Sequence, residues 1–404
     1  MNPELMERFL AKKAKKLGIT VEELKAQNAV SSHSERTVSH PALDAESISK
    51  SNSSTSNQGS FANAQDDSNA PYKPLQPQPE KIEVPSYVFG PSKMQDTSYS
   101  RPLRGATHVA MPVNVGEDLG VNDTRENKFA LIGYPLGHSL SKVIHEAGFK
   151  SLEIDATYDI LETPPDELVD RIKYLKSNGY KGFNVTIPLK LPISLFVDEV
   201  DRYADLARAV NTVYIEADKN LKAYNTDVIG FKRAIPSDIN LSGKKVAILG
   251  TGGAAHAACV ALTECGVKEI AFFTRNIPNS IDLMNYVRRK FPSIDFNVYQ
   301  IENIRSLAEY SMLVNTTPIG MLGRAGDMSP VGIEALQTLK PDTVVYDVIY
   351  NPRKTLLIKA VEKLGLRTIT GLDMLIFQAV AAQERWTGHT PDWKDMKIAA
   401  LESL

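Results

Sequence analysis

Apolar and polar positions divide the chain into three stretches. Over residues 1–27, Leu5, Phe9, Leu10, Leu17, Ile19 and Leu24 recur at near-helical spacing between lysine-rich faces, which predicts amphipathic helix. Gly18 stops that pattern, and Thr20 restarts it with Glu23 three residues on, a capping box. Two short helices are expected. They form either a loosely held tail or a docking element for a protein partner, because helices this short need tertiary support. Residues 28–125 carry no such period. Ser51-Asn52-Ser53-Ser54-Thr55-Ser56-Asn57-Gln58 is of low complexity, and Pro74-Leu75-Gln76-Pro77-Gln78-Pro79 follows. Such sequence buries too little apolar surface to offset the entropy of ordering it, so a disordered linker is predicted.

From Lys128 the pattern becomes that of a folded protein. Phe129-Ala130-Leu131-Ile132-Gly133 is a short apolar run ending in glycine, and a helical stretch begins at Ser141. Gly182-Phe183-Asn184-Val185-Thr186-Ile187 reads as another strand, closed by Pro188. A second unit opens at Lys244 with Lys245-Val246-Ala247-Ile248-Leu249-Gly250. Further strands are predicted at Glu269–Phe273, Met312–Asn315 and Thr343–Asp347. Apolar runs alternating with helical stretches predict parallel sheets with crossover helices. The expected fold class is α/β: a first α/β unit over 126–235 with a mostly parallel sheet, then a Rossmann-type unit over 236–372. Residues 373–404, with Trp386 and the apolar positions around Phe377, are expected to form helices that pack back on the first unit.

Composition narrows the function. The 404 residues are 43% hydrophobic with a formal net charge of −2, enough to bury a core but without the basic field that nucleic acid or a membrane surface attracts. The two cysteines, Cys259 and Cys265, imply inert thiols rather than a disulfide framework. No run approaches the roughly 20 apolar residues that span a bilayer. The opening Met1-Asn2-Pro3-Glu4 lacks an apolar signal core. A cytoplasmic protein is expected. No His, Cys, Asp and Glu set has metal-ligand spacing, so no metal is expected.

The candidate chemistry lies at strand ends. After the strand at Leu249, the chain reads Gly250-Thr251-Gly252-Gly253-Ala254 and runs into a helix. Glycines let the backbone turn sharply and approach a pyrophosphate, which the helix N-terminus then meets with free N–H groups. About 20 residues on, where NAD-binding folds carry an acid for the ribose hydroxyl, stand Thr274, Arg275 and Asn276. A guanidinium suits a 2′-phosphate, so NADP is the expected cofactor. In the first unit Ser139 and Ser141, Thr186, Lys190, Asn211 and Asp227 gather at strand ends and loops, as a small polyhydroxylated ligand requires. His138 is expected to have a structural role, and His256 to lie on a helix surface.

These segments, in order, resemble the motifs of the shikimate dehydrogenase family: S-x-S at Ser139, N-V-T-x-P-x-K from Asn184 to Lys190, A-V-N-T at Asn211 and N-T-D at Asp227. Asn315–Met321, Tyr346–Pro352, Gly371–Leu375 and Gln378 also match, so the resemblance spans roughly 128–395. It implies reversible, NADP-linked reduction of 3-dehydroshikimate to shikimate. It further implies that Ser139 and Ser141 hold the substrate carboxylate, and that Thr186, Lys190, Asn211, Asp227, Tyr350 and Gln378 surround the ring hydroxyls and reacting carbon. Lys190 and Asp227 would form the catalytic pair. Gly250 to Ala254, Thr274 to Asn276, Val348 and Gly371 would line NADP. Four positions depart from the family: Lys142 for Pro, Glu146 for Asn, Arg208 for Gly and Thr251 for Ala. Rival readings are a quinate/shikimate dehydrogenase using NAD or NADP, and a non-catalytic NADP-binding sensor whose tail recruits partners.

Overall fold

The structure is a computed structural model. It describes Thr20, Glu22 and residues 125–404, except His138, Arg324 and the side chains of Asn279 and Asp282. The helices expected in 1–27 and the linker expected in 28–125 otherwise lie outside the described residues. The role expected of His138 does so too.

The first unit contains β1 (Lys128–Gly133), α1 (Ser141–Ser151), β2 (Thr157–Glu162), α2 (Leu168–Ser177) and β3 (Tyr180–Val185). It continues through β4 (Glu199–Val200), α3 (Arg202–Ala207), β5 (Thr212–Ile215), β6 (Leu221–Tyr224) and α4 (Thr226–Arg233). Its six strands lie in the order β2-β1-β3-β5-β6-β4. β1 pairs in parallel with β2 and β3, and β4 with β6; β5 is antiparallel to both β3 and β6. The antiparallel pair follows from its short connection. Glu216 N–H donates to the Asn220 carbonyl at 2.9 Å, and Lys219 takes a left-handed φ of 70°, so the chain reverses at once and needs no crossover helix.

Side chains alternate across this sheet. One face presents Ala130, Ile132, Phe183, Val185 and Val213 to Leu168, Ile172 and Leu175 of α2. The other presents Phe129, Leu131 and Tyr158 to Phe149 and Trp386.

The second unit holds β7 (Lys245–Leu249), α5 (Gly253–Glu264), β8 (Glu269–Thr274), α6 (Ile277–Lys290), β9 (Asp295–Gln300) and β10 (Met312–Asn315). α7 (Ile333–Leu336), β11 (Val344–Asp347), α8 (Leu356–Lys363) and β12 (Arg367–Thr370) complete it. All its strand pairs are parallel, in the order β12-β11-β10-β7-β8-β9. That is the doubly wound Rossmann order, with its crevice where β7 and β10 diverge. Both faces are covered: Val246, Ile248, Ile270 and Phe272 pack with the alanine-rich α5, and Ala247, Leu249, Ala271 and Phe273 share a core with Leu357 and Val361 of α8. Strands buried on both faces read as unbroken apolar runs, which is why β7, β8, β10 and β11 stand out in the sequence.

α9 (Gly371–Thr387) and α10 (Trp393–Glu402) end the chain. α9 lies along α4 and returns to the first sheet. Trp386 stacks on Phe129 with centroids 4.8 Å apart and donates its indole N–H to the Val213 carbonyl at 3.0 Å. Gly182 leaves room for that indole, because a Cβ there would meet Nε1 at 2.4 Å. α3 meets the second unit: Tyr203 donates to Glu264 at 2.7 Å, and Arg202 pairs with the same carboxylate. His256 corrects one expectation. It is half-buried, with Nδ1 2.8 Å from the Ala207 carbonyl. The helix face it occupies is therefore part of the junction between the units.

Candidate active site

The lysine sits in a turn built by its neighbours. Beyond β3 the Leu189 N–H donates to the Thr186 carbonyl at 2.8 Å, and the buried Leu189 side chain anchors the turn. The Val210 N–H then donates to the Lys190 carbonyl at 2.8 Å. Gly133 allows the neighbouring strand to approach, since a Cβ there would lie 2.4 Å from the Thr186 methyl. Asp227 lies in the first turn of α4, where the helix dipole favours an anion. Asn225 caps that helix, accepting from the Val228 N–H at 3.2 Å, and its amide donates to the Ala209 carbonyl at 2.9 Å. The two loops are thereby laced together.

Lys190 Nζ donates to Asp227 Oδ2 at 2.6 Å, with side chains 19% and 10% exposed. The other carboxylate oxygen accepts from Asn211 Nδ2 at 2.9 Å. The same amide also faces Thr226 Oγ1 at 3.0 Å and Gln378 Oε1 at 3.4 Å. Lys190, Asn211, Asp227 and Gln378 thus form one cluster. Among the described residues, Ser139, Ser141, Thr186 and Tyr350 make no hydrogen bond to the Lys190–Asp227 pair. The serines bond to each other, Ser139 Oγ donating to Ser141 Oγ at 3.1 Å. Burial pushes the half-buried Tyr350 phenol up from its ordinary value.

The glycine loop faces this cluster. A Cβ on Gly253 would lie 3.6 Å from Lys190 Cδ. Gly250 has a φ of +97°, and a Cβ there would meet Thr316 Oγ1 at 2.9 Å, so the turn requires glycine. Around Gly252 a Cβ would meet nothing within 4 Å, and no side chain caps the start of α5. Ala254 lies in the first turn of that helix. Thr251 Oγ1 lies 3.4 Å from Thr274 Oγ1, which accepts from the Asn276 N–H at 3.0 Å. Arg275 is exposed and forms no ion pair among the described residues. On the far side of the crevice, Gly371 lies against Val348. The loop carrying Val348 and Tyr350 is held by buried Asp347, which accepts from Asn315 Nδ2 at 3.0 Å, Ile349 N–H at 3.1 Å and Thr355 Oγ1 at 2.7 Å. Burial raises that carboxyl to about 6.

The unusual residues are each accommodated. Lys142 and Glu146 pair with each other along α1 at 3.5 Å. Arg208 takes a left-handed φ of 50° at the end of α3, a position that favours glycine, and its guanidinium lies over the Tyr286 ring. Three residues with no assigned part in the sequence reading belong to the cluster's hydrogen-bond network: Thr226, Asn184 and Tyr158. Asn184 and Thr226 stand inside the motifs. Tyr158 carries no motif, and only its place on β2 brings it in.

His145 lies behind the site, stacked on Tyr158 with centroids 4.4 Å apart. Burial pushes its imidazole from 6.5 down to about 3. A base with a depressed folded pKa contributes stability above pH 6.5 that is lost as pH falls toward 3. In His145→Phe, unfolding free energy should decline less steeply with acidification, by about 1.4 kcal/mol per pH unit. Urea titrations across that window measure the slope; equal slopes in both proteins would refute a neutral buried His145.

The class follows from these features. A Rossmann sheet, whose glycine loop meets a lysine–carboxylate pair on a mixed α/β unit, defines a two-domain nicotinamide-dependent dehydrogenase. Comparisons with known proteins narrow it. Residues 131–213 match the shikimate dehydrogenase substrate binding domain, and residues 371–401 the shikimate 5'-dehydrogenase C-terminal domain. The shikimate dehydrogenase (NADP(+)) of Halothermothrix orenii is 36% identical over 275 residues, 67% of this chain and 94% of that protein. The crystal structure of the Thermus thermophilus shikimate 5-dehydrogenase, in complex with NADP(H) and shikimate, superposes with a TM-score of 0.61. It is 30% identical, covering 69% of this chain and 100% of that one. The quinate dehydrogenase of Corynebacterium glutamicum, in complex with NAD, gives 0.63 at 28% identity, covering 69% and 99%. This chain belongs to the shikimate dehydrogenase family.

Proposed function

We propose that the chain reversibly reduces 3-dehydroshikimate to shikimate with NADPH. The observation that carries this reading is the 2.6 Å bond from Lys190 to Asp227 beside the glycine loop. In this reading 126–235 binds substrate, 236–372 binds cofactor, and 373–404 returns to brace the first domain. Ser139 and Ser141 would hold the carboxylate, with Thr186, Asn211, Asp227, Tyr350 and Gln378 around the ring.

The second unit's residues fit a dinucleotide. The open space at Gly252 and the uncapped start of α5 suit a pyrophosphate. Gly250, Thr251, Gly253 and Ala254 would complete that cradle, Thr274, Arg275 and Asn276 would meet the ribose phosphate, and Val348 and Gly371 would line the nicotinamide end. When bound, the nicotinamide accepts or supplies the hydride at the carbinol carbon. In the oxidation Lys190, as the free amine, would take the proton released as the alcohol becomes a ketone; in the reduction, as the ammonium, it would return that proton. Asp227, acceptor-only when ionised, would hold the lysine in line and accept from a ring hydroxyl.

Steady-state rates with shikimate or quinate, each with NADP or NAD, test the assignment. Shikimate with NADP should give the highest kcat/KM; a clear excess for quinate with NAD would replace the reading with the quinate one. Replacing Arg275 with Gln should lower the NADP-to-NAD preference by on the order of 10–100-fold, the worth of charge-assisted hydrogen bonds. An unchanged ratio would remove Arg275 from cofactor selection. No helix among the described residues is long and apolar enough to cross a membrane, and no group of three or more His, Cys, Asp or Glu there could hold a metal ion. A cytoplasmic location and a protein partner for residues 1–27 belong to the same proposal.

A further inference from the structure

Tyr158 is 0% exposed, yet it carries a hydroxyl where phenylalanine would fill the same space. A buried hydroxyl is costly unless it is hydrogen-bonded. From β2 the phenol reaches across β1 and donates to Asn184 Oδ1 at 2.7 Å. Asn184 stands opposite Thr212 in the β3–β5 pair, and its amide donates to Thr212 Oγ1 at 3.0 Å and to the Asn211 carbonyl at 3.2 Å. Thr212 Oγ1 donates to Asn211 Oδ1 at 3.0 Å, and Asn211 donates to Asp227 at 2.9 Å. All of these side chains are buried. Its ring stacks on His145 of α1, the helix that begins at Ser141, whose hydroxyl bonds Ser139. A run of contacts therefore leads from the helix that begins at Ser141, through Tyr158 and Asn184, to the Lys190–Asp227 pair. The phenol ring is clamped flat by His145, which Gln383 holds through its carbonyl at 2.7 Å and its Nδ1 at 3.2 Å.

We propose that Tyr158 is a positioning residue that fixes the span between the two ends of the substrate site. The serine pair and the Asn211–Asp227 cluster come from different strands and loops, and Tyr158 touches both the helix that begins at Ser141 and the network that ends at Asp227. A rigid ring with a carboxylate at one end and hydroxyls at the other is read by both ends at once. Selectivity for it then depends on a fixed distance between them. The inference rests on the proposed shikimate reading, in which the serines hold the carboxylate.

The test is Tyr158→Phe in the full chain, with shikimate and shikimate methyl ester as alternative substrates and NADP as cofactor. The variant should raise KM for shikimate about 10-fold, the loss of one buried hydrogen bond with Asn184 left unpaired. KM for NADP should not change, and the preference for shikimate over its methyl ester should shrink. Equal effects on the two substrates, or an unchanged KM for shikimate, would overturn the proposal. Should that variant fail to fold, Thr212→Val breaks the same path further along and Thr212→Ser keeps it. Valine should behave as described for Tyr158→Phe and serine as the native chain; indistinguishable kinetics overturn the proposal. Turnover of shikimate by the native chain separates this result from the underlying reading, since an inactive native chain contradicts the reading itself.

Discussion

Lys190→Ala is expected to lower kcat by roughly 10²–10⁴-fold, the range for losing a positioned proton donor or acceptor. The native Lys190 Nζ lies 2.6 Å from Asp227 Oδ2 in a largely enclosed site. Without it, a proton leaving the substrate hydroxyl has only Asp227 to go to. That carboxylate already accepts from the Asn211 amide at 2.9 Å and from Lys190 in the native chain. The defect should appear in kcat and leave KM for NADP nearly unchanged, because the Lys190 atom nearest a Cβ built on Gly253 is the Cδ methylene, at 3.6 Å. Steady-state rates across substrate and cofactor concentrations separate the two. A native kcat in Lys190→Ala would mean that another group moves the proton.

Gly371→Ala is expected to damage both the fold and the cofactor crevice. A Cβ at this position would lie 2.0 Å from the Val348 carbonyl oxygen and 2.3 Å from its carbon. Both are backbone atoms, so no rotamer change can relieve the contact. The loop cannot retreat easily: the Val348 N–H donates to the Asn315 carbonyl at 3.1 Å, and the Gly371 N–H donates to the Ile349 carbonyl at 3.2 Å. Buried Asp347 ties the same loop to Asn315 and Thr355. The variant should lose about 3 kcal/mol, the upper end of overpacking costs, and its Tm should fall by roughly 6–12 °C. KM for NADP should rise as Val348 is displaced. A variant with native Tm and native KM would show that the close approach of α9 to this loop does not matter.

The two predictions draw on features of different visibility. β7 and its glycine loop can be read directly, because a strand buried on both faces is an apolar run and glycine marks its end. β2 and β9, at sheet edges, mix polar and apolar residues and escape that reading. So does the β5–β6 hairpin, whose ends are occupied by the polar site residues themselves. Arg208 hides a left-handed turn that glycine would have advertised. His256 falls among alanines that give the helix no contrasting faces, so its contact with the Ala207 carbonyl leaves no trace in the sequence. In the site, the motifs display Lys190, Asn211 and Asp227. Tyr158, without a motif, is brought to Asn184 only by strand order, a long-range property that local pattern does not carry.

The proposed activity interconverts 3-dehydroshikimate and shikimate with the NADP couple. The most direct measurement mixes the purified full chain with NADPH and 3-dehydroshikimate, following nicotinamide absorbance while shikimate is assayed in the same samples. NADPH should be consumed mole for mole with shikimate formed, and adding excess shikimate and NADP should reverse the signal. No absorbance change in either direction, with a folded chain, would contradict it.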